Sequence, residues 1–289
     1  MIAALLLFQA AAPHQGQADQ AGTVVVTGRR QDQAAAVRRM TGAISPVTDA
    51  ERPLARFVQP LCPQVDGLPL AMNRAFEARM RTDAKRIGLE PGGAKCEVNV
   101  TVMVVANGQA VIRAMRRTGA AAFGDLGPNF IRRLADDPSP AHLWSITEVR
   151  SRDGDRIRGG GDDEPGTLTV RNASILQAQT RVDVGAAVLL LDQAATVGKT
   201  VNQLADYAAM RTLASARAVG AKASQPTILR LLDADEPSPP RELTSFDVAY
   251  LTALYHGAAI ERPQAKVAMM ARAITKSLAT ATTVAPAAP

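Results

Sequence analysis

The side chains that could carry chemistry are few in this sequence, and their spacing is poor for it. Three histidines occur, His14, His142 and His256, each in a different part of the chain. A catalytic zinc site needs imidazole, thiolate or carboxylate ligands and a base for the bound water, and no HExxH-type set can be assembled from these three. Cys62 and Cys96 show neither CxxC nor Cys/His spacing. In an exported chain such an even pair favours one disulfide over two buried thiols, worth about 3–4 kcal/mol on the loop-entropy model. Asp153, Asp155, Asp162, Asp163 and Glu164 gather in the Gly-rich run Arg152–Gly166, offering calcium-type oxygens. Their order fits neither an EF-hand nor a P-loop, which leaves a solvated loop. GxSxG and GxGxxG are absent, and a Ser/His/Asp set drawn on His142 or His256 has no supporting spacing. Asp183, Asp192 and Asp206 could face one cleft as acid–base carboxylates, although Asp192 reads more simply as a turn residue and Asp206 as a helix-surface or capping group. No catalytic residue, metal or cofactor is expected.

The elements that must position any site run from Val188 to Tyr255. Val188–Asp192 (VLLLD) has strand length, and Thr200–Ala218 repeats apolar residues at helical spacing. Thr227–Asp233 leads into a Pro-rich turn, and Leu243–Tyr255 forms a second helix, with Thr244 and Asp247 as its N-terminal capping pair. Upstream, Val37–Ser45 reads as a strand ended by Pro46, and the four prolines of Arg52–Pro69 give an extended segment held by Cys62. Leu70–Gly88 is a helix with Met72, Phe76, Met80, Ala84 and Ile87 on its apolar face. Cys96–Ala106 and Ala141–Arg150 are strands, Gln109–Arg117 and Pro128–Asp136 short helices, and Leu168–Val184 a strand or hairpin. These elements predict an α/β fold (α+β being the alternative), with a mixed sheet of about five strands and four or five helices. Residues 37–277 form one globular domain, and the low-complexity stretch 278–289 is a disordered tail. Aromatics make up only 3% of the residues, so the core rests on Ala, Val, Leu, Ile and Met.

The order strand, long helix, turn, then L-T-x-x-D-x-x-x-L-x-x-L-Y resembles the C-terminal half of metzincin zinc peptidases over Val188–Tyr255. In that family the helix carries HExxHxxGxxH, the turn carries a methionine, and a closing helix often ends in Leu-Tyr. Leu243-Thr244, Asp247, Leu251 and Leu254-Tyr255 stand at the closing-helix positions, with Leu229 where the turn methionine belongs. Laid over Gln203–Leu213, the motif puts Gln203, Tyr207 and Leu213 at the histidines, Leu204 at the glutamate and Met210 at the glycine. The resemblance therefore implies the fold without the chemistry, a pseudo-peptidase. Gln203, Asp206 and Tyr207 would line the old cleft and hydrogen-bond a peptide backbone by strand addition.

Ile2–Phe8 followed by small residues is similar to a signal peptide, spanning residues 1–18, although no Lys or Arg precedes Arg29. In the leader 19–36, Thr23–Arg29 (TVVVTGR) resembles the segment that TonB-dependent receptors of Gram-negative bacteria offer, as an extended strand, to an energy transducer. The net charge of +6 comes from scattered Arg pairs without interleaved aromatics, so no nucleic acid is expected. Nothing after Phe8 approaches the ~20 apolar residues of a membrane span. The combined expectation is a periplasmic or secreted, non-catalytic binding or scaffold module whose partner is a peptide, an envelope protein or a TonB-type transducer. A hydrolase with an unrecognised carboxylate or Ser/His site is the alternative.

Overall fold

A computed structural model describes residues 18–47, 49–118, 120–158, 166–170, 178–220 and 223–284. Four strands form one mixed sheet: β1 (Pro63–Asp66), β2 (Val100–Val105), β3 (Ala141–Ser151) and β4 (Thr180–Asp192), in the order β1-β2-β4-β3. β1, β2 and β4 run parallel, and β3 pairs antiparallel with β4 at the sheet edge. β2 is flanked on both sides and reads VTVMVV, as a strand covered on both faces should. Val100, Val102 and Val104 enter the larger core, while Met103 and Val105 pack on the smaller one.

Helices cover both faces. The larger core lies against α1 (Ala18–Ile44), α2 (Leu70–Arg86), α6 (Val201–Ala214), α7 (Ser245–Tyr255) and α8 (Pro263–Val284). α3 (Gly108–Thr118), a 3-10 turn at Ala120–Phe123 and α4 (Pro128–Asp136) cover the opposite face. There Phe123 packs on Trp144 with ring centroids 5.2 Å apart, and the indole N–H donates to the Ala122 carbonyl at 2.9 Å. α5 (Gln193–Thr196) is a single turn between β4 and α6. The expected α/β class holds, with four strands among the described residues against the expected five or so.

Val37–Ser45 is not a strand; its residues through Ile44 form the end of α1. Val37, Met40, Thr41 and Ile44 are all buried, and their three- and four-residue steps are helical. The Thr41 hydroxyl donates to the Val37 carbonyl one turn back at 2.8 Å, which satisfies the buried hydroxyl within the helix. Thr23–Arg29 belongs to the same helix, so it is not an extended strand. Residues 1–17, and with them most of the signal-peptide reading and His14, lie outside the described residues.

Leu168–Val184 and Val188–Asp192 were expected as separate strands. Thr180–Asp192 is continuous instead, because Val184 and Ala186 stay paired with Thr147 and Ile146 and the one unpaired residue between them, Gly185, is absorbed as a bulge. Residues 171–177 lie outside the described residues. Met72 is 43% exposed and leaves the apolar face to Phe76, Met80, Ala84 and Ile87. The strand expected at Cys96 begins only at Val100, and the tail expected from Leu278 continues α8 as far as Val284.

Cys62 and Cys96 form the expected disulfide, with Cα atoms 5.9 Å apart. A Cβ on Gly92 would sit 2.6 Å from the Cys96 sulfur, so only glycine fits there. Asn99 completes the joint, accepting from the Cys62 N–H at 2.8 Å and donating to the Pro60 carbonyl at 2.9 Å. Among the described residues no helix is long and apolar enough to cross a membrane.

Candidate binding groove along the sheet edge

α6 begins as its sequence dictates. Thr200 is the N-cap, its hydroxyl accepting from the Gln203 N–H at 3.2 Å, while the Gln203 side chain accepts from the Thr200 N–H at 3.0 Å. From Gln203 to Ala214 every residue is buried, because the helix lies between the sheet and α2, α7 and the 3-10 turn Ile228–Arg230. The three residues expected to line a cleft are therefore committed to internal contacts. Gln203 also donates from Nε2 to the Pro240 carbonyl at 2.9 Å. Asp206 is fully buried, not on the helix surface; it accepts from Arg79 Nε at 2.6 Å, from Arg79 Nη2 at 2.9 Å and from the Leu243 N–H at 2.7 Å. Tyr207 is buried with its hydroxyl accepting from Arg211 Nη1 at 3.0 Å, and the guanidinium lies 5.8 Å from the ring centroid.

The three carboxylates considered for acid–base chemistry are each engaged elsewhere. Asp183 pairs with Arg181 at 3.0 Å and with Arg150 at 3.5 Å, and Asp192 accepts from the Gly108 N–H at 2.6 Å. The acid that does approach Asp206 is Asp83, 1% exposed and 3.7 Å from Arg79 Nε. Burial, and then the neighbouring Asp206 charge, push its carboxyl up to about 8. Asp83 thus keeps a proton at neutral pH, while Asp206 takes both arms of Arg79. Since the folded value lies above the ordinary 3.8, the folded state holds the extra proton between the two. The stability this provides is fully present below pH 3.8 and is lost as pH rises towards about 8. Asp83→Asn should remove that loss. In thermal melts at pH 6 and pH 9 the wild-type Tm should fall between the two, and the fall should shrink in the variant. An equal fall in both proteins would show that Asp83 is not the titrating group.

His142 and His256 lie on different elements, β3 and the end of α7. His142 is fully buried on β3, and among the described residues neither ring nitrogen has a hydrogen-bond partner of acceptable geometry. Burial holds it below its usual value, against the pull of Asp137 and Asp192. His256 follows α7, its N–H bonded to the Thr252 carbonyl at 2.8 Å and its own carbonyl accepting from Lys266 Nζ at 2.9 Å. Among the described residues no group of three or more His, Cys, Asp or Glu is placed to hold a metal ion. Asp162, Asp163 and Glu164 lie outside the described residues.

What the fold does build is a groove of about 350 Å³ beside β3. Leu143, Ser145 and Thr147 come from alternate positions of that strand, and Arg211 and Ser215 from the end of α6. The extended segment Arg52–Ala55 and Phe130 of α4 contribute further walls. Ser215 ends the helix with φ +47, and its hydroxyl lies 3.2 Å from that of Ser145. Arg52 donates to the Thr147 hydroxyl at 2.9 Å, and Arg217 to the Val47 carbonyl at 2.9 Å. Among the described residues the outer side of β3 carries a single backbone bridge, Arg150 with Arg156, so the strand edge beside Leu143–Thr147 is open. Three arginines and no acid or histidine line the groove, so neither the acid-pair nor the Ser–His hydrolase reading gains support there. Sequence reasoning passed over Arg211, although a lone cation in an otherwise apolar turn, four residues after Tyr207, was a signal. Compared with protein-family models, with characterised proteins and with solved structures, the chain matches none.

Proposed function

We propose that this protein is an exported, non-catalytic binding module of the bacterial envelope, similar to metzincin peptidases in its C-terminal half, that takes an extended peptide along the open edge of β3. The observation that carries this reading is the groove itself: an unpaired strand edge offers main-chain donors and acceptors, and its apolar and hydroxyl-bearing walls offer pockets for alternate side chains. The succession β4, α6, 3-10 turn and capped α7 supports the family likeness. The register needs amendment. Met210 lies in mid-helix, where nothing calls for the motif's glycine, whereas Ser215 has the left-handed conformation that glycine serves. Moving the glycine position to Ser215 puts Ala208, Thr212 and Ala218 at the histidines and Ala209 at the glutamate. Alanine offers zinc no ligand atom and no base, so the non-catalytic reading does not depend on the register.

The Cys62–Cys96 disulfide supports an oxidising compartment, periplasm or cell exterior. Handover of Thr23–Arg29 to a TonB-type transducer as a strand is not part of this proposal, since that segment is helical.

The test uses a positional-scanning library of acetylated, amidated seven-residue peptides with the full chain immobilised. Retained sequences are resynthesised with N-methyl groups on alternate amides. Strand addition uses every second amide, so one methylated set should lose about tenfold or more in affinity and the other little. A library with no retained peptide, or equal tolerance of both methylated sets, would overturn the proposal.

A further inference from the structure

Arg211 is 8% exposed, yet among the described residues no carboxylate lies within 4.0 Å of its guanidinium. A buried charge is costly unless it is paired, and fixed arginines normally meet carboxylates through two parallel N–H bonds. Among the described residues its only side-chain partner is Tyr207, whose ring lies beneath the guanidinium and whose hydroxyl takes Nη1, and none of them offers an acceptor to the buried Nε. Tyr207 is itself fixed, 2% exposed in the middle of α6, so the fork is held rigidly. Arg211 lines the groove, on the α6 side of Ser145, whose hydroxyl meets that of Ser215. A strand added to β3 would direct every second side chain to that same side.

Resting on the peptide-binding reading above, we infer that Arg211 is the specificity residue of the groove and receives the carboxylate of a glutamate or aspartate side chain projecting from the bound strand. Arg52 and Arg217, which line the same groove, add positive charge and bring no competing acid. A side-chain carboxylate fits better than a chain terminus, because strand addition along Leu143–Thr147 carries the ligand past Arg211 instead of ending there.

The same capped library decides it, since capping removes the terminal carboxylate. Glutamate or aspartate should be enriched about tenfold or more over glutamine and asparagine at one position. Arg211→Gln should erase that enrichment while neutral peptides are still retained, and Arg211→Lys should keep part of it. Should Arg211→Gln not fold, the wild-type chain carries the test: the Arg211 Nε–H resonance should shift on adding a glutamate peptide and not its glutamine counterpart. Retained peptides with no acid preference, a preference that survives Arg211→Gln, or binding that appears only with uncapped C-termini would overturn this inference and leave the groove reading standing. No retained peptide at all would remove both.

Discussion

Asp206→Ala is expected to cost about 3–5 kcal/mol of folding stability, seen in urea as a lower midpoint at unchanged slope. The carboxylate is fully buried and satisfies three donors at once, both arms of Arg79 and the Leu243 N–H. Arg79 belongs to α2, between β1 and β2, and Leu243 leads into α7, so one side chain ties three elements together. Alanine leaves a guanidinium only 21% exposed and a buried N–H without their acceptor. A partial rescue is built in. With the Asp206 charge gone, Asp83 loses its neighbouring repulsion, ionises and takes over Arg79, whose Nε is already 3.7 Å away. In an Asp83→Asn background this rescue is absent, so Asp206→Ala should cost more there than in the wild type. Glu242 also meets Arg79, at 3.3 Å, but is 65% exposed, and Glu242→Ala should cost under about 1 kcal/mol. A cost below about 1 kcal/mol for Asp206→Ala, or strict additivity with Asp83→Asn, would mean that the cluster is not coupled.

Asp206 also shows where sequence reading stops. Its helix was legible because apolar residues at helical spacing are a local signal, although the Thr200–Gln203 box that starts it went unread, and α4 was legible as a short helix from Pro128 to Asp136. Its partner lies 127 residues away, and nothing local distinguishes an aspartate facing solvent from one facing Arg79. The opposite error occurred at Val37–Ser45, read as a strand ended by Pro46 although the positions 37, 40, 41 and 44 have a helical rhythm; packing of that face on the core sets the helix. The groove was hidden for a third reason. The metzincin resemblance implied Gln203, Asp206 and Tyr207 as cleft residues, but α6 is sealed on those faces, and only its last turns reach the open side of β3. Arg211 has meaning because no described carboxylate comes within 4.0 Å of its guanidinium, which is a property of the folded chain.

Asp247→Ala should be comparably damaging, about 3–5 kcal/mol, for a different reason. The sequence identified Asp247 as part of the cap of α7, and the reciprocal Thr244–Asp247 box is present. A cap alone contributes about 1 kcal/mol. Asp247 additionally accepts from the Thr227 hydroxyl at 2.6 Å and from the Ile228 N–H at 2.8 Å, so the same carboxylate latches the 3-10 turn onto the start of α7. Thr227, Ile228 and Asp247 are all buried, and water cannot readily replace the lost acceptor. Thr244→Ala, which removes the cap and spares the latch, should cost about 1 kcal/mol. Asp247→Asn should fall between the two, since it keeps one acceptor oxygen and turns an amide group towards donors. Hydrogen exchange separates the two roles: the Ile228 amide should lose protection in Asp247→Ala and keep it in Thr244→Ala. The turn packs on α6, the helix that presents Arg211 to the groove, so its release should also broaden peptide selection before the chain unfolds. If Asp247→Ala costs no more than Thr244→Ala and Ile228 stays protected, the latch contributes nothing and α6 is held by its packing and by the Asp206 and Gln203 hydrogen bonds.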